Sequence, residues 1–126
     1  MLEVLAGNQY WKIPIMQPRY NLWLEKDGEV VLSLWRVELL RAVAVTGSIS
    51  AAAEQMKIPY RTAWQKINEM ETRLGEKLVD TQTGGHHGGG ARLTPAAERY
   101  AAQFERFAND MDRFVADSFD ANFDTH

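Results

Sequence analysis

The stretch that decides the fold runs from Thr46 to Gly75 and reads TGSISAAAEQMKIPYRTAWQKINEMETRLG. Ser48 is placed to cap a short alanine-rich helix over residues 49–56. Gly75 is placed to end a second, longer helix, because glycine readily takes the left-handed conformation of a helix C-terminus. The break at 57–59 allows only a tight turn, so the two helices should cross steeply. The stretch therefore predicts a helix-turn-helix.

The second helix of this stretch has two chemically different faces. Its apolar residues recur at steps of four and three and form one narrow inward stripe, namely Ala63, Ile67, Met70 and Leu74. The opposite side is polar and consists of Arg61, Thr62, Gln65, Asn68 and Thr72. In a major groove, Arg can fork onto guanine and Gln or Asn onto adenine. A solvated helix face has the same composition, so the pattern alone leaves both interpretations open.

Upstream of this stretch, the period of the sequence predicts one more helix. Ser33 can cap its start, and Gly47 lies where its C-terminus needs a left-handed residue. One apolar face is expected, formed by Leu34, Val37, Leu40, Val43 and Ala44.

A β-hairpin and an irregular arm are predicted before that helix. Asp27-Gly28 supplies the positive φ angles of a tight turn between strands at Tyr20–Leu24 and Glu29–Leu32. Residues 1–19 show no sustained period. We therefore divide the chain into an arm over 1–19, a winged helix-turn-helix domain over 20–93 and a C-terminal helix over 94–126.

Downstream, two short strands and a glycine-rich tip predict a second hairpin, the wing. The strands are expected at 77–82 and 91–93, and the tip holds the adjacent histidines His86 and His87. A phosphate-cradling loop would need Lys and then Ser or Thr after the glycines, and two histidines do not complete a tetrahedral metal site. We therefore expect neither a nucleotide cofactor nor a metal. The tip suits close approach to a nucleic-acid backbone, and a loop without a role is the alternative.

A long helix is predicted from Thr94 and Pro95, which suit an N-cap and a first helical turn. Its larger apolar residues alternate steps of four and three, a spacing typical of helix pairing; they are Tyr100, Phe104, Phe107, Met111 and Phe114. The seam could pack within one chain, but a second copy is the expected cover. The predicted fold class is mainly α with small β-hairpins, a winged helix-turn-helix plus a long C-terminal dimerisation helix.

The composition narrows the function classes. The 126 residues include no cysteine, which excludes disulfide scaffolds and thiolate metal sites and favours a reducing, cytoplasmic location. No apolar run is long enough to span a membrane, and no arrangement typical of a nucleophile or a catalytic carboxylate pair is present, so an enzyme is not expected. The 14 basic and 17 acidic side chains give a net charge of −3, which argues against a nucleic-acid partner.

The distribution of charge weakens that argument. Residues 47–93 carry six basic and five acidic side chains, or +1, whereas residues 94–126 carry three and seven, or −4. The acidic surplus therefore lies in the C-terminal helix, and the helix-turn-helix with its wing is slightly positive.

Several motifs in order resemble the N-terminal domain of the ModE family, bacterial molybdate-responsive regulators related to LysR-type regulators. They are TGSISAAA at 46–53, YRTAW at 60–64, INEM at 67–70, Leu78-Val79, the glycines around the histidine pair, and Leu93-Thr94-Pro95. The resemblance implies a homodimeric transcriptional regulator that binds specific sequences of double-stranded DNA and is linked to molybdenum metabolism or transport. It also implies that the helix over 59–74 reads the major groove.

Three departures from the family pattern affect this reading. ModE proteins carry a molybdate-binding module after the long helix, whereas this sequence stops at His126, so molybdate is not expected to bind this chain directly. The family's wing holds a lysine where this chain has His86 and His87, so contact with phosphate should depend on pH. The turn has Lys57 and Pro59 where the family has Gly and Ser. Lys57 is therefore expected in a left-handed conformation, and the second helix loses its serine cap.

Roles follow for individual side chains. Arg61, Thr62 and Gln65 are predicted to contact bases, with Tyr60 near the backbone or a thymine methyl group. The predicted phosphate contacts are Ser48, Ser50, Lys66, Arg92 and the wing residues His86 and His87. Capping alone for Ser48, and ordinary exposure for Lys66 and Arg92, are the alternatives. Trp64 is expected in the core. The competing function is a degenerate winged-helix dimer that binds a protein instead of DNA.

Overall fold

The computed structural model describes residues 16–82 and 90–123. The elements follow in the order β1 (Trp23–Lys26), β2 (Glu29–Ser33), α1 (Leu34–Thr46), α2 (Ile49–Met56), α3 (Tyr60–Leu74), β3 (Val79–Gln82), β4 (Gly90–Leu93) and α4 (Pro95–Asn122). This mainly helical chain with two small hairpins has the predicted fold class.

Two compact units make up the described chain. The helix-turn-helix unit runs from Leu22 to Ala108, and the second unit combines residues 16–21 with residues 109–123. The predicted domain limit after residue 93 falls inside the helix-turn-helix unit, because Ala97, Ala101 and Phe104 of α4 lie in its core. In the second unit, the Tyr20 hydroxyl donates a hydrogen bond to the Asp112 carboxylate.

Both hairpins form antiparallel pairs. In the first, β1 pairs with β2 around Asp27 and Gly28, whose φ angles of 54° and 80° match the predicted turn. The first strand begins at Trp23 rather than at Tyr20. In the second, β3 pairs with β4 from Val79 opposite Leu93 to Gln82 opposite Gly90. The predicted glycine-rich tip lies outside the described residues.

The start and end of α1 are as predicted, and three of the five residues predicted for its apolar face are buried, namely Val37, Leu40 and Val43. The Ser33 hydroxyl accepts a hydrogen bond from the Arg36 backbone N–H at 3.2 Å, and Gly47 ends the helix with a φ of 81°. Leu34 was placed on the inward face, yet it is 60% exposed, and Ala44 is exposed as well. Leu39 and Ala42 are buried instead, so the buried arc is shifted around the helix.

Small and aliphatic side chains fill the core of the helix-turn-helix unit. Ala52, Ala53 and Ala63 are almost fully buried, which lets α2 and α3 approach closely. Ile67 and Met70 continue the inner face of α3 and are also buried, as predicted. The start of α4 is fixed by Thr94, whose hydroxyl accepts from the Ala97 N–H at 3.1 Å and donates to the Lys77 carbonyl at 2.8 Å.

Candidate nucleic-acid interface

The first turn of α2 begins at a serine cap. The Ser48 hydroxyl accepts a hydrogen bond from the Ala51 backbone N–H at 2.9 Å, which satisfies one of the free donors at the helix start. Ser48 is half-buried and Ser50 is exposed. Both hydroxyls lie beside the positive end of the helix dipole, where an anion is favoured.

The turn between α2 and α3 is left-handed at a non-glycine residue, as predicted. Lys57 has a φ of 59°, and its N–H donates to the Glu54 carbonyl at 3.1 Å. The Ile58 N–H donates to the Ala53 carbonyl at 3.0 Å. Pro59 precedes α3 and gives no side-chain cap. Backbone hydrogen bonds to α2, rather than a capping side chain, therefore set the start of α3.

The outer face of α3 is polar and exposed. Arg61 and Gln65 are exposed, and Thr62 is half-buried at the margin of this face. Asn68 continues the exposed face one turn further along. These side chains point away from the stripe that fixes α3 in the core, so they can contact a partner without unpacking the unit.

One flank of α3 is aromatic and borders the wing. Tyr60 and Trp64 are 54% and 49% exposed, so the prediction that Trp64 lies in the core is wrong. They line a groove of about 310 Å³ between the first turn of α2, α3 and the wing strands. Its other lining residues are Ser48, Ile49, Ser50, Thr81, Gln82, Gly90 and Ala91.

The opposite flank of α3 carries an ion-pair network that sequence reasoning missed. Glu69 lies 3.1 Å from the nearly buried Arg36 of α1 and 3.6 Å from Lys66, and it also pairs with Arg73 at 3.7 Å. Arg73 reaches back to the first hairpin through Glu29 at 3.0 Å. The Lys66-Glu69-Arg73 spacing of three and four residues was the available sequence signal. Lys66 is thus already paired with a carboxylate.

The charge balance around Glu69 is visible in its pKa. Burial raises the pKa of this carboxyl, but the hydrogen bond from Arg36 and the charges of Lys66 and Arg73 outweigh burial, so the net pKa lies below the ordinary value. The ionised form is therefore the one that holds α3 against α1.

The wing is attached directly to the start of the helix-turn-helix. The Ala91 N–H of β4 donates to the Gly47 carbonyl at 2.7 Å. Arg92 is exposed on the same strand. His86 and His87, which were predicted to contact phosphate, lie outside the described residues. The structure thus brings the wing strands beside Ser48, while the tip itself stays a prediction.

The predicted seam of α4 divides into buried and exposed members. Phe104 is only 2% exposed and packs in the core of its own unit, so we withdraw it from the proposed dimer contacts. Tyr100 is half-buried, and its hydroxyl donates to Glu76 at 2.5 Å. Phe107 and Phe114 are exposed and Met111 is half-buried.

A second arginine fastens α1 to α4. Arg41 donates to Glu105 at 2.7 and 3.0 Å and to Glu98 at 2.9 Å. The hydrogen bond from Arg41 lowers the pKa of Glu105, although burial opposes it. This clamp joins α1 to the first half of α4, whose residues Ala97, Ala101 and Phe104 lie in the core of the same unit.

Two further features of the described residues concern metal ions and membranes. Across 16–82 and 90–123, no group of three or more His, Asp or Glu side chains is placed to hold a metal ion. None of the helices in that part of the chain combines the length and apolar character that crossing a bilayer requires.

Comparison with protein families gives a match over residues 34–98 to the bacterial regulatory helix-turn-helix proteins of the lysR family. The matched segment begins with α1 and ends in the first turn of α4. It includes both helices of the helix-turn-helix and the strands of the wing.

Curated relatives match most of the chain. The transcriptional regulator ModE of Yersinia pestis is 39% identical over 93 residues, which are 74% of this chain and 35% of that protein. The molybdenum-pterin-binding protein MopB of Rhodobacter capsulatus is 45% identical over 81 residues, 64% of this chain and 30% of that protein. The DNA-binding transcriptional dual regulator ModE of Escherichia coli K12 is 37% identical over 93 residues, which are 74% of this chain and 36% of that protein. The chain thus spans about a third of these relatives.

Solved structures share the fold. The DNA-binding domain of CbnR in complex with DNA has a TM-score of 0.56 at 22% identity, covering 73% of this chain and all of that one. The DNA-binding domain of BenM with catB site 1 DNA has a TM-score of 0.53 at 19% identity. The match covers 75% of this chain and all of that one.

Proposed function

The chain belongs to the lysR family of bacterial regulatory helix-turn-helix proteins, and from that premise we propose that it is a transcriptional regulator that binds specific sequences of double-stranded DNA. The proposal is a binding function without a catalytic step. One observation carries it above the others: the exposed outer face of α3 lies next to a groove that is lined by the aromatic flank of α3, the first turn of α2 and the wing strands. Such a surface can place a helix in the major groove while neighbouring elements hold the backbone.

In this proposal the exposed side chains of α3 read bases. Arg61 forks onto guanine and Gln65 onto adenine, since these side chains match the donor and acceptor pairs of those bases in the major groove. Thr62 makes a third contact at the edge of the surface. Each good bidentate pair discriminates by about 1–3 kcal/mol against the wrong base.

The surrounding groups hold the sugar–phosphate backbone. Ser48 and Ser50 offer hydroxyls and free N–H groups at a helix start, and Arg92 offers a cation on the wing. Lys66 offers a further cation, because the Glu69 carboxylate 3.6 Å away is shared with Arg36 and Arg73 and balances only part of its charge. His86 and His87 complete the proposed backbone contacts at the tip, and their protonation would make that part of binding stronger at low pH.

A homodimer is part of the proposal. The exposed Phe107 and Phe114, with the half-buried Met111, leave apolar surface on α4 that a second copy would cover. A two-fold dimer would read a roughly palindromic site with half-sites about one or two helical turns apart.

A link to molybdenum metabolism or transport rests on the ModE and MopB relatives. MopB is named as a molybdenum-pterin-binding protein, and a ModE relative of Azotobacter vinelandii is named as a molybdenum transport protein. The proposal is limited to this regulatory link and to a cytoplasmic site of action.

The test is selection of bound fragments from genomic DNA by the purified chain at low salt, followed by footprinting with and without molybdate. Enrichment of one roughly palindromic motif is expected, with affinity that falls steeply as salt rises. Failure to enrich any sequence would overturn the proposal. If the chain shows no binding in DNA titrations but forms a stable complex with a protein, the competing interaction module would be favoured. The acidic C-terminal segment and the absence of a side-chain cap on α3 support that alternative.

A further inference from the structure

Trp64 exposes a large apolar surface at the edge of the proposed DNA interface. Trp64 is 49% exposed to solvent, and Tyr60, one helical turn earlier, is 54% exposed. Both side chains line the same groove. Covering an indole with a partner is favourable, because it removes apolar area from water.

A second tryptophan offers a close comparison. Trp23 on β1 is equally exposed at 48%, but its indole N–H donates to the Glu25 carboxylate at 2.8 Å. Over residues 16–82 and 90–123, the indole N–H of Trp64 has no such acceptor. The Trp64 donor is therefore available to a ligand, as far as the described chain is concerned.

The groove beside Trp64 has one aromatic wall and two polar walls. Ser48 and Ser50 border it at the first turn of α2, and Thr81 and Gln82 border it on the wing. Neutral donors and a helix start suit phosphate, whereas the indole suits an apolar sugar ring. This alternation matches the sugar–phosphate chain of DNA.

The position of Trp64 around α3 separates it from the base-reading residues. At ~100° per residue, Gln65 lies opposite the buried stripe, and Trp64 lies about a quarter turn from that stripe. The indole therefore faces the wing strands and not the direction in which Arg61 and Gln65 project.

We infer that Trp64 packs against the deoxyribose of the DNA strand that passes between α3 and the wing, with its indole N–H donating to a phosphate of that strand. The inference rests on the proposed DNA-binding function. Because the backbone is the same in every sequence, this contact strengthens binding to all duplexes. Because the indole is neutral, the contact leaves the salt dependence almost unchanged.

The experiment compares Trp64→Ala and Trp64→Phe with the matched variant Trp23→Ala. Each is titrated against the selected duplex and a scrambled duplex of equal length at several salt concentrations. We expect Trp64→Ala to bind both duplexes about tenfold more weakly, with an unchanged slope of log Kd against log salt. Trp64→Phe keeps a ring and should lose less, and Trp23→Ala should bind like the wild type.

The outcomes separate this inference from the proposed function. If the wild type binds DNA and Trp64→Ala binds both duplexes equally well, the inference alone is overturned. A loss confined to the selected duplex would replace the backbone contact by a base contact and also overturn it. A wild type that binds neither duplex would overturn the proposed function and the inference together. Should Trp64→Ala unfold, as judged by circular dichroism, Trp64→Phe decides: binding equal to the wild type on both duplexes would count against the N–H contact.

Discussion

The inner and outer faces of α3 lie on one helix and serve different purposes. The inner face places Ala63, Ile67 and Met70 in the core, and all three are nearly or fully buried. The outer face leaves Arg61 and Gln65 exposed. The contrast teaches that folding and DNA binding can be changed separately in this helix, because no side chain of the outer face is needed to fill the core.

The strongest test of this separation removes volume from the inner face. Met70→Ala should lower the free energy of unfolding by about 2–5 kcal/mol, because it leaves a cavity at a fully buried site. Urea unfolding followed by circular dichroism measures the change. Gln65→Ala on the outer face is the control and should stay within about 0.5 kcal/mol of the wild type. Equal losses in the two variants would show that the faces are not separable.

The complementary test removes a proposed base contact from the outer face. Arg61→Ala should leave the unfolding transition unchanged and reduce the preference for the selected duplex over a scrambled one by about 1–3 kcal/mol. Fluorescence anisotropy with both duplexes measures the ratio. Arg99→Ala, which removes an exposed cation on α4, is the matched control. A parallel drop in affinity for both duplexes would reassign Arg61 to the backbone.

A smaller effect is expected at the turn that leads into α3. Lys57→Gly should raise the free energy of unfolding by about 0.5–1 kcal/mol, because glycine takes the left-handed conformation without a Cβ clash and loses only part of this gain to its more flexible unfolded chain. Thermal unfolding measures it. Gly47→Ala is the informative counterpart, since the same conformation at Gly47 should make alanine destabilising. Destabilisation by Lys57→Gly would mean that the lysine side chain supports the turn.

The smallest effect concerns the network beside α3. The folded pKa of Glu69 lies below its ordinary value of 4.5, so its ionised form contributes stability above that pH and loses the contribution as the pH falls below it. Glu69→Gln should therefore lower the free energy of unfolding at neutral pH. The variant should also lose less stability than the wild type as the pH falls into the acid range. Unfolding midpoints from pH 7 down to acid measure this. Glu54→Gln, an exposed carboxylate on α2, should retain the wild-type slope, and a parallel acid limb for Glu69→Gln would contradict the network's role.

Most of the elements could be predicted because their signals are local. Ser33, Ser48 and Thr94 each accept a hydrogen bond from the backbone N–H three residues later. Gly47 and Gly75 end helices in the left-handed conformation. Caps and terminal glycines act within one turn of chain, so the residue types alone mark the boundaries.

The misplaced residues depended on distant neighbours. Trp64 is predicted in the core, yet it is 49% exposed, because it lies about a quarter turn around α3 from the buried stripe. The spacing of Phe104 predicts a place in a dimer seam, yet it packs with Ala97 and Ala101 in the core of its own unit. Periodicity defines a face but not what covers it.

The sequence by itself determined the order of helices and hairpins, the turn at Lys57 and the polar character of the outer face of α3. These follow from hydrogen bonds, backbone sterics and side-chain spacing over a few residues. Only the tertiary structure decided that Arg36 and Glu69 pair across α1 and α3, and that the wing strands lie beside Ser48. Those arrangements join residues far apart along the chain, so they depend on how the core packs and not on any local pattern.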